Sequence, residues 1–199
     1  MTKKVMVLMG GFSAEREISL QSGAGIAEAL RRKGYEVTTH DLSDTRQLLA
    51  ELGRSKPDVV FNALHGNWGE DGTVPALLDL LQIPYTHSGM QASCVGMNKY
   101  LCRLIAEKAG LKTAYGRKLT AREFITQGSP VARPFVVKPV SDGSSVGVFI
   151  VNNPEDVFKI RYNDPETEIL VEKYIPGQEL TVMCYHGKAH VVTELKANG

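Results

Sequence analysis

Residues 136–148 read VVKPVSDGSSVGV and predict a β-hairpin. The apolar residues 135–137 run into Lys138 and Pro139, and a second apolar run covers residues 146–151. Two β-branched runs on either side of a Gly/Ser turn are typical of a hairpin. Such a loop presents backbone N–H groups and hydroxyls with little side-chain bulk, and Lys138 adds a positive charge at the end of a buried strand. The stretch therefore predicts either an anion-binding hairpin or a plain hairpin with a solvated lysine.

The overall composition is that of an ordinary soluble protein. The 199 residues are 43% hydrophobic and 23% charged, with a net charge of +1. That length suits one large domain or two small ones, and the near-neutral charge does not favour a nucleic-acid partner or an anionic membrane. No segment is apolar and long enough for a bilayer span, and the N-terminus lacks the features of a signal peptide. We therefore expect a cytoplasmic protein with no nucleic-acid or membrane partner.

The chain has three cysteines, Cys94, Cys102 and Cys184. They form no C-x-x-C pair and are odd in number, which argues against a disulfide framework or a zinc site. We expect them to be reduced thiols that are buried in the core.

The N-terminal half alternates between strand and helix patterns. The apolar run 5–9 predicts a strand buried on both faces, followed by a helix with Ser13 as its N-cap and Gly34 beyond its end. Further segments predict a strand at 36–39, a helix at 42–54 with Leu48, Leu49 and Leu52 inward, a strand at 57–64, a helix at 73–81, a short strand at 83–86 and a helix at 99–109. This order predicts a parallel sheet flanked by helices, with ligands at the carboxyl ends of the strands.

After residue 110 the pattern changes to that of hairpins. A helix at 121–127 capped by Thr120 precedes the 136–148 stretch, and a further helix begins near residue 153. A strand at 168–174 and a hairpin formed by residues 180–185 and 189–195 follow. This half therefore predicts an antiparallel sheet.

Two loops of the N-terminal half carry candidate functional residues. Gly10 and Gly11 do not form the G-x-G-x-x-G fingerprint, so a nicotinamide-dependent oxidoreductase is disfavoured. Glu15 is a poor neighbour for a pyrophosphate and suits a ligand ammonium group, or else it is a capping carboxylate. His65 ends a strand before a glycine-rich loop, where it could donate to an anion, transfer a proton or be structural.

Several charged residues are also candidates, and most of them leave two interpretations open. Asp71 is expected to be a helix N-terminal charge, whereas Glu70 could instead hold a neighbouring loop through an ion pair. Lys99 opens a helix, where a cation opposes the helix dipole, so it is either solvated or there to bind an anion. The strand ending in Glu172 and Lys173 leads into a Pro-Gly turn, which is either a domain edge or a hinge for an adenine and ribose.

Six segments of the chain resemble the D-alanine–D-alanine ligase family of the ATP-grasp superfamily, in the family's order. They are GGFSAEREISLQSG (10–23), HGNWGEDGT (65–73), PYTHSG (84–89), MNK (97–99), VVKPVSDGSSVGV (136–148) and VEKYIPGQELTV (171–182). The resemblance implies an α/β fold with an N-terminal parallel-sheet, D-alanine-binding domain over residues 1–98. It also implies an α+β central ATP-grasp lobe over 99–180, and the start of a truncated C-terminal lobe over 181–199.

The resemblance also implies an activity. ATP phosphorylates the carboxylate of one D-alanine, and the amine of a second D-alanine displaces the phosphate to give D-alanyl-D-alanine for peptidoglycan. The family further implies a homodimer and a requirement for Mg²⁺ or Mn²⁺, with metal ligands expected beyond Gly199, so the chain alone is expected to be inactive. Two alternatives stay open: another ATP-grasp carboxylate–amine ligase, such as a D-alanine–D-lactate ligase, and a non-catalytic nucleotide-binding fragment.

By motif position, the resemblance assigns roles to individual residues. Glu15 would hold the ammonium of the first D-alanine, with Ser144 hydrogen-bonded beside it, and His65 would lie near the reacting carboxylate and phosphate. Lys99 and Lys138 would contact the phosphates of the nucleotide, and Ser145 and Val146 would belong to the loop that covers them. The adenine would be contacted by Glu172, Lys173 and Ile175, and the ribose by Glu179.

Overall fold

A parallel three-stranded sheet organises the N-terminal half of the chain. The computed structural model describes residues 2–143 and 146–196, so the expected roles of Ser144 and Ser145 lie outside the described residues. The strands are β1 (Lys4–Gly10), β2 (Glu36–Leu42) and β3 (Val59–Asn62), in the order β2-β1-β3. Both neighbours pair with β1 in parallel, which confirms the predicted βαβ unit.

Helices cover this sheet and complete its core. They are α1 (Arg16–Arg32), α2 (Thr45–Ser55) and α3 (Thr73–Leu80). Met6 and Leu8 of β1 are fully buried against Val60 and Leu78, while Val7 packs on the other face with Ala27 of α1. The continuous apolar run of β1 follows from this arrangement, because a strand covered on both faces has no solvent side.

Four local predictions in this half were wrong. The first helix begins at Arg16 with Glu15 as its N-cap, and Ser13 instead donates its hydroxyl to the His65 carbonyl oxygen at 2.8 Å. Leu42 belongs to β2, and α2 begins later, after Asp44, whose carboxylate accepts from the Arg46 N–H. Leu49 is 48% exposed because it lies one position off the buried face. Residues 83–86, predicted to be a short strand, form one isolated β-bridge, between Tyr85 and Val60, which is too short a pairing for a strand.

The second half contains an antiparallel four-stranded sheet, as the hairpin pattern predicted. Two helices, α4 (Met90–Met97) and α5 (Lys99–Lys108), lead into it. Its strands are β4 (Gly116–Thr120), β5 (Phe135–Pro139), β6 (Phe149–Val151) and β7 (Glu168–Lys173), in the order β4-β7-β5-β6. The helix α6 (Ala121–Gln127) begins with a capping box between Thr120 and Glu123, and a 3₁₀ helix spans Pro154–Lys159.

Alternation along β5 separates two faces of this sheet. Phe135 and Val137 are buried in a core with Phe124 of α6 and Val171 of β7. Side chains alternate along a strand, so Val136 and Lys138 point to the opposite face of the sheet. The predicted hairpin is confirmed, and the alternation aims its lysine away from the core.

A last antiparallel hairpin consists of β8 (Glu179–Tyr185) and β9 (Lys188–Leu195). The prediction of buried cysteines was wrong, since Cys94, Cys102 and Cys184 are all exposed. Each lies on an element without a buried residue, namely α4, α5 and β8. Across residues 2–143 and 146–196, none of the helices has both the length and the apolarity that a bilayer span requires.

The contact between α1 and β1 gives a matched pair of predictions. A Cβ on Gly23 would lie 2.5 Å from the Met9 Cβ, whereas a Cβ on Gly25 would have no atom within 4 Å. We expect Gly23→Ala to lower the free energy of unfolding by about 1–3 kcal/mol through overpacking. Gly25→Ala should raise it by about 0.5–1 kcal/mol, because alanine loses less backbone entropy in a helix. Urea denaturation of both variants measures the difference, and equal effects would contradict the close packing of α1 on β1.

Candidate functional site

An ion pair between two strands lies at the centre of the candidate site. Lys138 of β5 donates its ammonium to the Glu172 carboxylate of β7, and both side chains are mostly buried. The pair forms because β5 and β7 are antiparallel neighbours in which Val136 lies opposite Glu172 and Lys138 opposite Leu170. Residues two apart on neighbouring strands share a face of the sheet, so the lysine reaches the carboxylate diagonally.

A second lysine reaches the same place from α5. The Lys99 ammonium donates to the Asp142 carbonyl oxygen at 2.5 Å, and the Lys99 N–H donates to the Val140 carbonyl oxygen at 2.9 Å. Asn98 caps the helix by accepting from the Leu101 N–H. Burial, and then the neighbouring Lys138 charge, lower the pKa of Lys99. The position of a cation at a helix N-terminus is thereby explained, since its side chain turns to the segment that follows β5.

These lysines line a cavity of about 540 Å³, which we call the nucleotide cavity after the ligand that the sequence predicts for its residues. Its polar lining includes the two lysines, Asp142, Glu172 and Lys173, and its apolar lining includes Val136, Val146, Val148 and Ile175. Two ammonium groups suit phosphate oxygens, and an apolar wall suits the faces of an aromatic base. Six of the residues that the sequence assigned to nucleotide binding line this one cavity: Lys99, Lys138, Val146, Glu172, Lys173 and Ile175.

An adjoining cavity of about 430 Å³ shares Lys99, Asp142 and Gly143 with the nucleotide cavity. Its remaining lining includes Glu70 from the loop after β3, and residues of α4 and the segment before it. We call it the adjoining cavity. Because the two cavities share these residues, a ligand in one lies next to a ligand in the other.

Glu15 lies where three loops meet. A Cβ on Gly66 would be 3.3 Å from the Glu15 Oε2 atom, and a Cβ on Gly143 would be 3.2 Å from it. The loop after β1 is also joined to the loop after β3 by the rings of Phe12 and Trp68, which pack edge to face with centroids 5.2 Å apart. The Glu15 carboxylate is therefore beside the 65–72 loop and beside the segment that follows β5.

Carboxylates stabilise the loop that contains His65. The Glu70 carboxylate accepts from the Gly66 N–H at 2.7 Å and lies 3.9 Å from the His65 Nδ1 atom. Asp71 accepts from the N–H groups of Trp68 and Thr73, both at 2.9 Å. The interpretation of Asp71 as a helix N-terminal carboxylate is confirmed. Among residues 2–143 and 146–196, Glu70 makes its polar contacts within its own loop.

Two buried polar side chains that the sequence analysis missed position these loops. The Ser19 hydroxyl donates to the Ala63 carbonyl oxygen at 2.7 Å and accepts from the Gly10 N–H at 2.9 Å, so it fixes the ends of β1 and β3 together. The Asn62 amide donates to the Gly69 carbonyl oxygen at 2.8 Å, and its oxygen accepts from the Leu64 N–H. The only signal was a polar residue within an apolar face of α1 and within the apolar strand β3.

Two expected parts of the site are not assembled by the described residues. Glu179 begins β8 and does not line the nucleotide cavity, so its assignment to a ribose stays a prediction. Residues 2–143 and 146–196 contain no group of three or more His, Cys, Asp or Glu side chains that could hold a metal ion. The described residues thus fit a nucleotide but do not themselves supply a metal site.

Comparison with known families identifies this arrangement. The family described as D-ala D-ala ligase N-terminus matches residues 4–56 and 44–88, and D-ala D-ala ligase C-terminus matches residues 110–198. The D-alanine–D-alanine ligase of Paramagnetospirillum magneticum is 46% identical over 199 residues. The chain belongs to the D-alanine–D-alanine ligase family. The resemblance drawn from the six segments is therefore confirmed.

The family relatives extend further than the matched region. The Paramagnetospirillum magneticum ligase matches 100% of this chain and 65% of its own length. The ligase of Parvibaculum lavamentivorans is 47% identical, with 98% of this chain and 64% of the relative covered. This chain therefore spans about two thirds of the length of these curated D-alanine–D-alanine ligases.

Solved structures of the D-alanine–D-alanine ligase family share the fold. The crystal structure of the Bacillus anthracis enzyme complexed with ATP has a TM-score of 0.81 and 29% sequence identity, and the match covers 98% of this chain and 66% of that one. Another structure of the Bacillus anthracis enzyme has a TM-score of 0.78. The predicted fold class, a parallel N-terminal sheet followed by an antiparallel ATP-grasp sheet, is confirmed.

Proposed function

We propose that this protein joins two D-alanines into D-alanyl-D-alanine at the expense of ATP, for peptidoglycan synthesis. The observation that carries the proposal is the position of Glu15 beside Gly143, which lines a cavity together with Lys99 and Lys138. A carboxylate suits the ammonium of an amino acid, and the lysines suit phosphates. One short segment thus borders both a site for an amino acid and a site for ATP.

The first step needs the amino-acid carboxylate next to the terminal phosphate of ATP. A carboxylate oxygen attacks the γ-phosphorus, the bond to the β-phosphate oxygen breaks, and an acyl phosphate and ADP form. Lys99 and Lys138 would reduce the electrostatic repulsion between the anionic nucleophile and the anionic phosphate. Such electrostatic stabilisation is the main contribution of a protein to phosphoryl transfer. His65, which lies in the loop after β3 with its Nδ1 atom 3.9 Å from the Glu70 carboxylate, would donate to the same oxygens.

The second step joins the amino acids. The neutral amine of the second D-alanine attacks the acyl carbon, phosphate leaves with the electrons of the C–O bond, and the new amide nitrogen loses a proton. The acyl phosphate reacts with water, so the covering loop that the family resemblance implies would have to exclude water while this intermediate exists. The Glu15 carboxylate would hold the first D-alanine by its ammonium throughout, so that its carboxyl carbon stays in place.

Nucleotide binding would rearrange the ion pair between Lys138 and Glu172. In the structure, the Glu172 carboxylate is paired with the Lys138 ammonium. A phosphate oxygen would compete for that ammonium, and Glu172 would then be available to the adenine amino group. Lys173 and Ile175 line the same cavity and would contact the base from the edge of β7.

Several finer features belong to the same proposal. We propose the division into residues 1–98, 99–180 and 181–199, a homodimer, a cytoplasmic location and the use of Mg²⁺ or Mn²⁺. Family membership supports each of them. When bound, the metal would supply further positive charge to the phosphates. None of the steps above requires a residue of this chain as a metal ligand.

The experiment that tests the function measures phosphate release and the product together. The chain would be assayed alone and joined to the part of the Paramagnetospirillum magneticum ligase that lies outside its match, with ATP, Mg²⁺ and D-alanine, L-alanine, D-alanine plus D-lactate, or no amino acid. Release that requires D-alanine and yields D-alanyl-D-alanine by mass spectrometry is the expected result. A depsipeptide as the main product would favour a D-alanine–D-lactate ligase, and ATP binding without any release in the joined protein would favour a binding module.

The lowered pKa of Lys99 predicts how ATP binding depends on pH. Burial and the nearby Lys138 charge lower this pKa in the free protein, so Lys99 loses its proton below the ordinary lysine value of about 10.4. Bound phosphates favour the protonated form, so ATP affinity should fall as pH rises through the free-protein pKa. Lys99→Arg keeps the charge and should remove this part of the decline. Calorimetric titration with ATP at rising pH measures it, and identical profiles for both proteins would contradict the assignment.

A further inference from the structure

Another cavity lies on the opposite face of the antiparallel sheet. Its volume is about 510 Å³, and its lining includes Phe124 of α6, Phe135 of β5 and Val157 of the 3₁₀ helix. Because successive side chains of a strand point to opposite faces, Phe135 faces this cavity while Val136 faces the nucleotide cavity. We call it the rear cavity. It shares no lining residue with either cavity of the proposed ligation site.

The rear cavity combines an apolar wall with positive charge. Arg133 and Arg161 both line it, and the described residues of its lining include no carboxylate. Arg161 uses one guanidinium N–H on the Ile160 carbonyl oxygen at 2.7 Å, which leaves four of its five donors for other acceptors. Two guanidinium groups beside aromatic and aliphatic side chains suit a molecule with a hydrocarbon body and an anionic end.

The mouth of the rear cavity is also apolar. Ile125 and Phe158 line it and are 78% and 74% exposed. A ligand body in the cavity would remove part of this surface from water, at about 25 cal/mol for each Å². The apolar contact therefore supplies affinity, while the arginines select the charge.

Tyr162 connects the rear cavity to the nucleotide cavity. Its ring lines the rear cavity, and its hydroxyl donates to the Gly147 carbonyl oxygen at 2.7 Å. The neighbours of Gly147, Val146 and Val148, both line the nucleotide cavity. Burial raises the pKa of Tyr162 to about 12, so the hydroxyl keeps its proton and remains a donor at neutral pH. Tyr162 therefore lines the rear cavity and holds Gly147, which lies between two residues that line the nucleotide cavity.

We propose that the rear cavity is a regulatory binding site for a monocarboxylate with an apolar body, and that Tyr162 transmits its occupancy to residues 146–148. The carboxylate pairs with Arg133 and Arg161, and the body packs on Ile125 and Phe158. A ligand against the Tyr162 ring shifts the hydroxyl that holds Gly147. Gly147 has a φ of +70°, and a Cβ there would lie 3.3 Å from the Tyr162 ring, so the ring lies close to the Gly147 backbone in addition to the hydrogen bond from its hydroxyl.

Octanoate is the probe for the binding part of the proposal, measured by isothermal titration calorimetry. We expect the Arg133→Gln/Arg161→Gln variant to bind octanoate at least about tenfold more weakly, since it loses two charge-assisted contacts. Octylammonium, with the same body and the opposite charge, should bind the wild-type protein at least about tenfold more weakly than octanoate. Arg122→Gln is the matched control, because Arg122 is an exposed arginine of α6 that pairs with Glu166 and does not line the cavity.

The coupling part is tested by ATP binding in the presence of saturating octanoate. We expect octanoate to change the ATP dissociation constant by about fivefold or more, and ATP to change octanoate affinity by the same factor. Tyr162→Phe removes the hydroxyl and keeps the ring, so it should retain octanoate binding and lose the coupling. A chain that binds no ATP would contradict the proposed function, while the octanoate titrations would still report on the rear cavity.

Three results would overturn the proposal. Equal affinity for octanoate and octylammonium, or equal octanoate affinity in the two-arginine variant, would show that no anion site exists. An ATP dissociation constant that octanoate leaves unchanged would remove the regulatory link. Sedimentation velocity that shows octanoate dissociating a dimer of the chain would reassign the rear cavity to a contact between two copies.

Discussion

Lys138→Met is expected to weaken ATP binding by about 100-fold. A charge-assisted hydrogen bond contributes about 1.5–3 kcal/mol, and the lysine is mostly buried, where water screens its charge poorly. The variant also leaves the Glu172 carboxylate without its partner beside the phosphate site, which adds repulsion. Calorimetric titration with ATP measures the loss, and thermal unfolding without ATP shows whether the variant remains folded.

Further variants identify the cause of that loss. In Lys138→Met/Glu172→Gln the unpaired carboxylate is removed, so an ATP affinity well below that of Glu172→Gln alone would assign the effect to the missing lysine–phosphate contact. Lys159→Met is the matched control, because Lys159 is an exposed lysine of the same half that pairs with Asp156. Full ATP affinity in Lys138→Met, with Lys159→Met unchanged, would contradict the phosphate assignment.

The sequence predicted best those features that neighbouring residues determine. The hairpin around residues 136–148 depends on two β-branched runs and a flexible turn, and all three are adjacent in the chain. The cap at Thr120 likewise depends only on residues next to it in the chain. The structure adds a capping box with Glu123 and an alternation along β5 that places Lys138 on the face away from the core.

Features that depend on long-range pairing could not be read from the sequence. The partner of Lys138 is Glu172, 34 positions away, and the pair follows from the register of β5 against β7. Ser19 reaches Ala63 across 44 positions. The sequence showed a charged residue and a hydroxyl in plausible places, but nothing in it specified which groups would meet.

Burial was mispredicted for Cys102 and Leu49, for two different reasons. Cys102 lies on α5, which has an apolar stripe but no buried residue. Leu49 is adjacent in sequence to buried Leu48, yet a helix turns it by about 100° per residue away from the core. An apolar pattern therefore indicates which face could be covered, while the presence of a covering element is a property of the fold.

Glu15→Gln is expected to raise the KM for the first D-alanine by about 100-fold in the joined protein. Glutamine keeps the shape and loses the charge, so it tests the attraction between the carboxylate and an ammonium, which is worth about 2–5 kcal/mol when both are shielded from water. Glu15 is the N-cap of α1, but its side chain makes no capping hydrogen bond there. The Glu15 side chain therefore does not act as the cap of α1.

The control for this prediction is two residues away on the same helix turn. Glu17 is an exposed first-turn carboxylate, so Glu17→Gln changes the net charge and the helix dipole interaction by the same amount. It should leave the D-alanine KM within about twofold, because an exposed charge beyond contact distance is screened. ATP affinity should be unchanged in both variants, since Glu15 does not line the nucleotide cavity. If Glu15→Gln and Glu17→Gln behave alike, the carboxylate only stabilises the helix, and the ammonium site must be built from other residues.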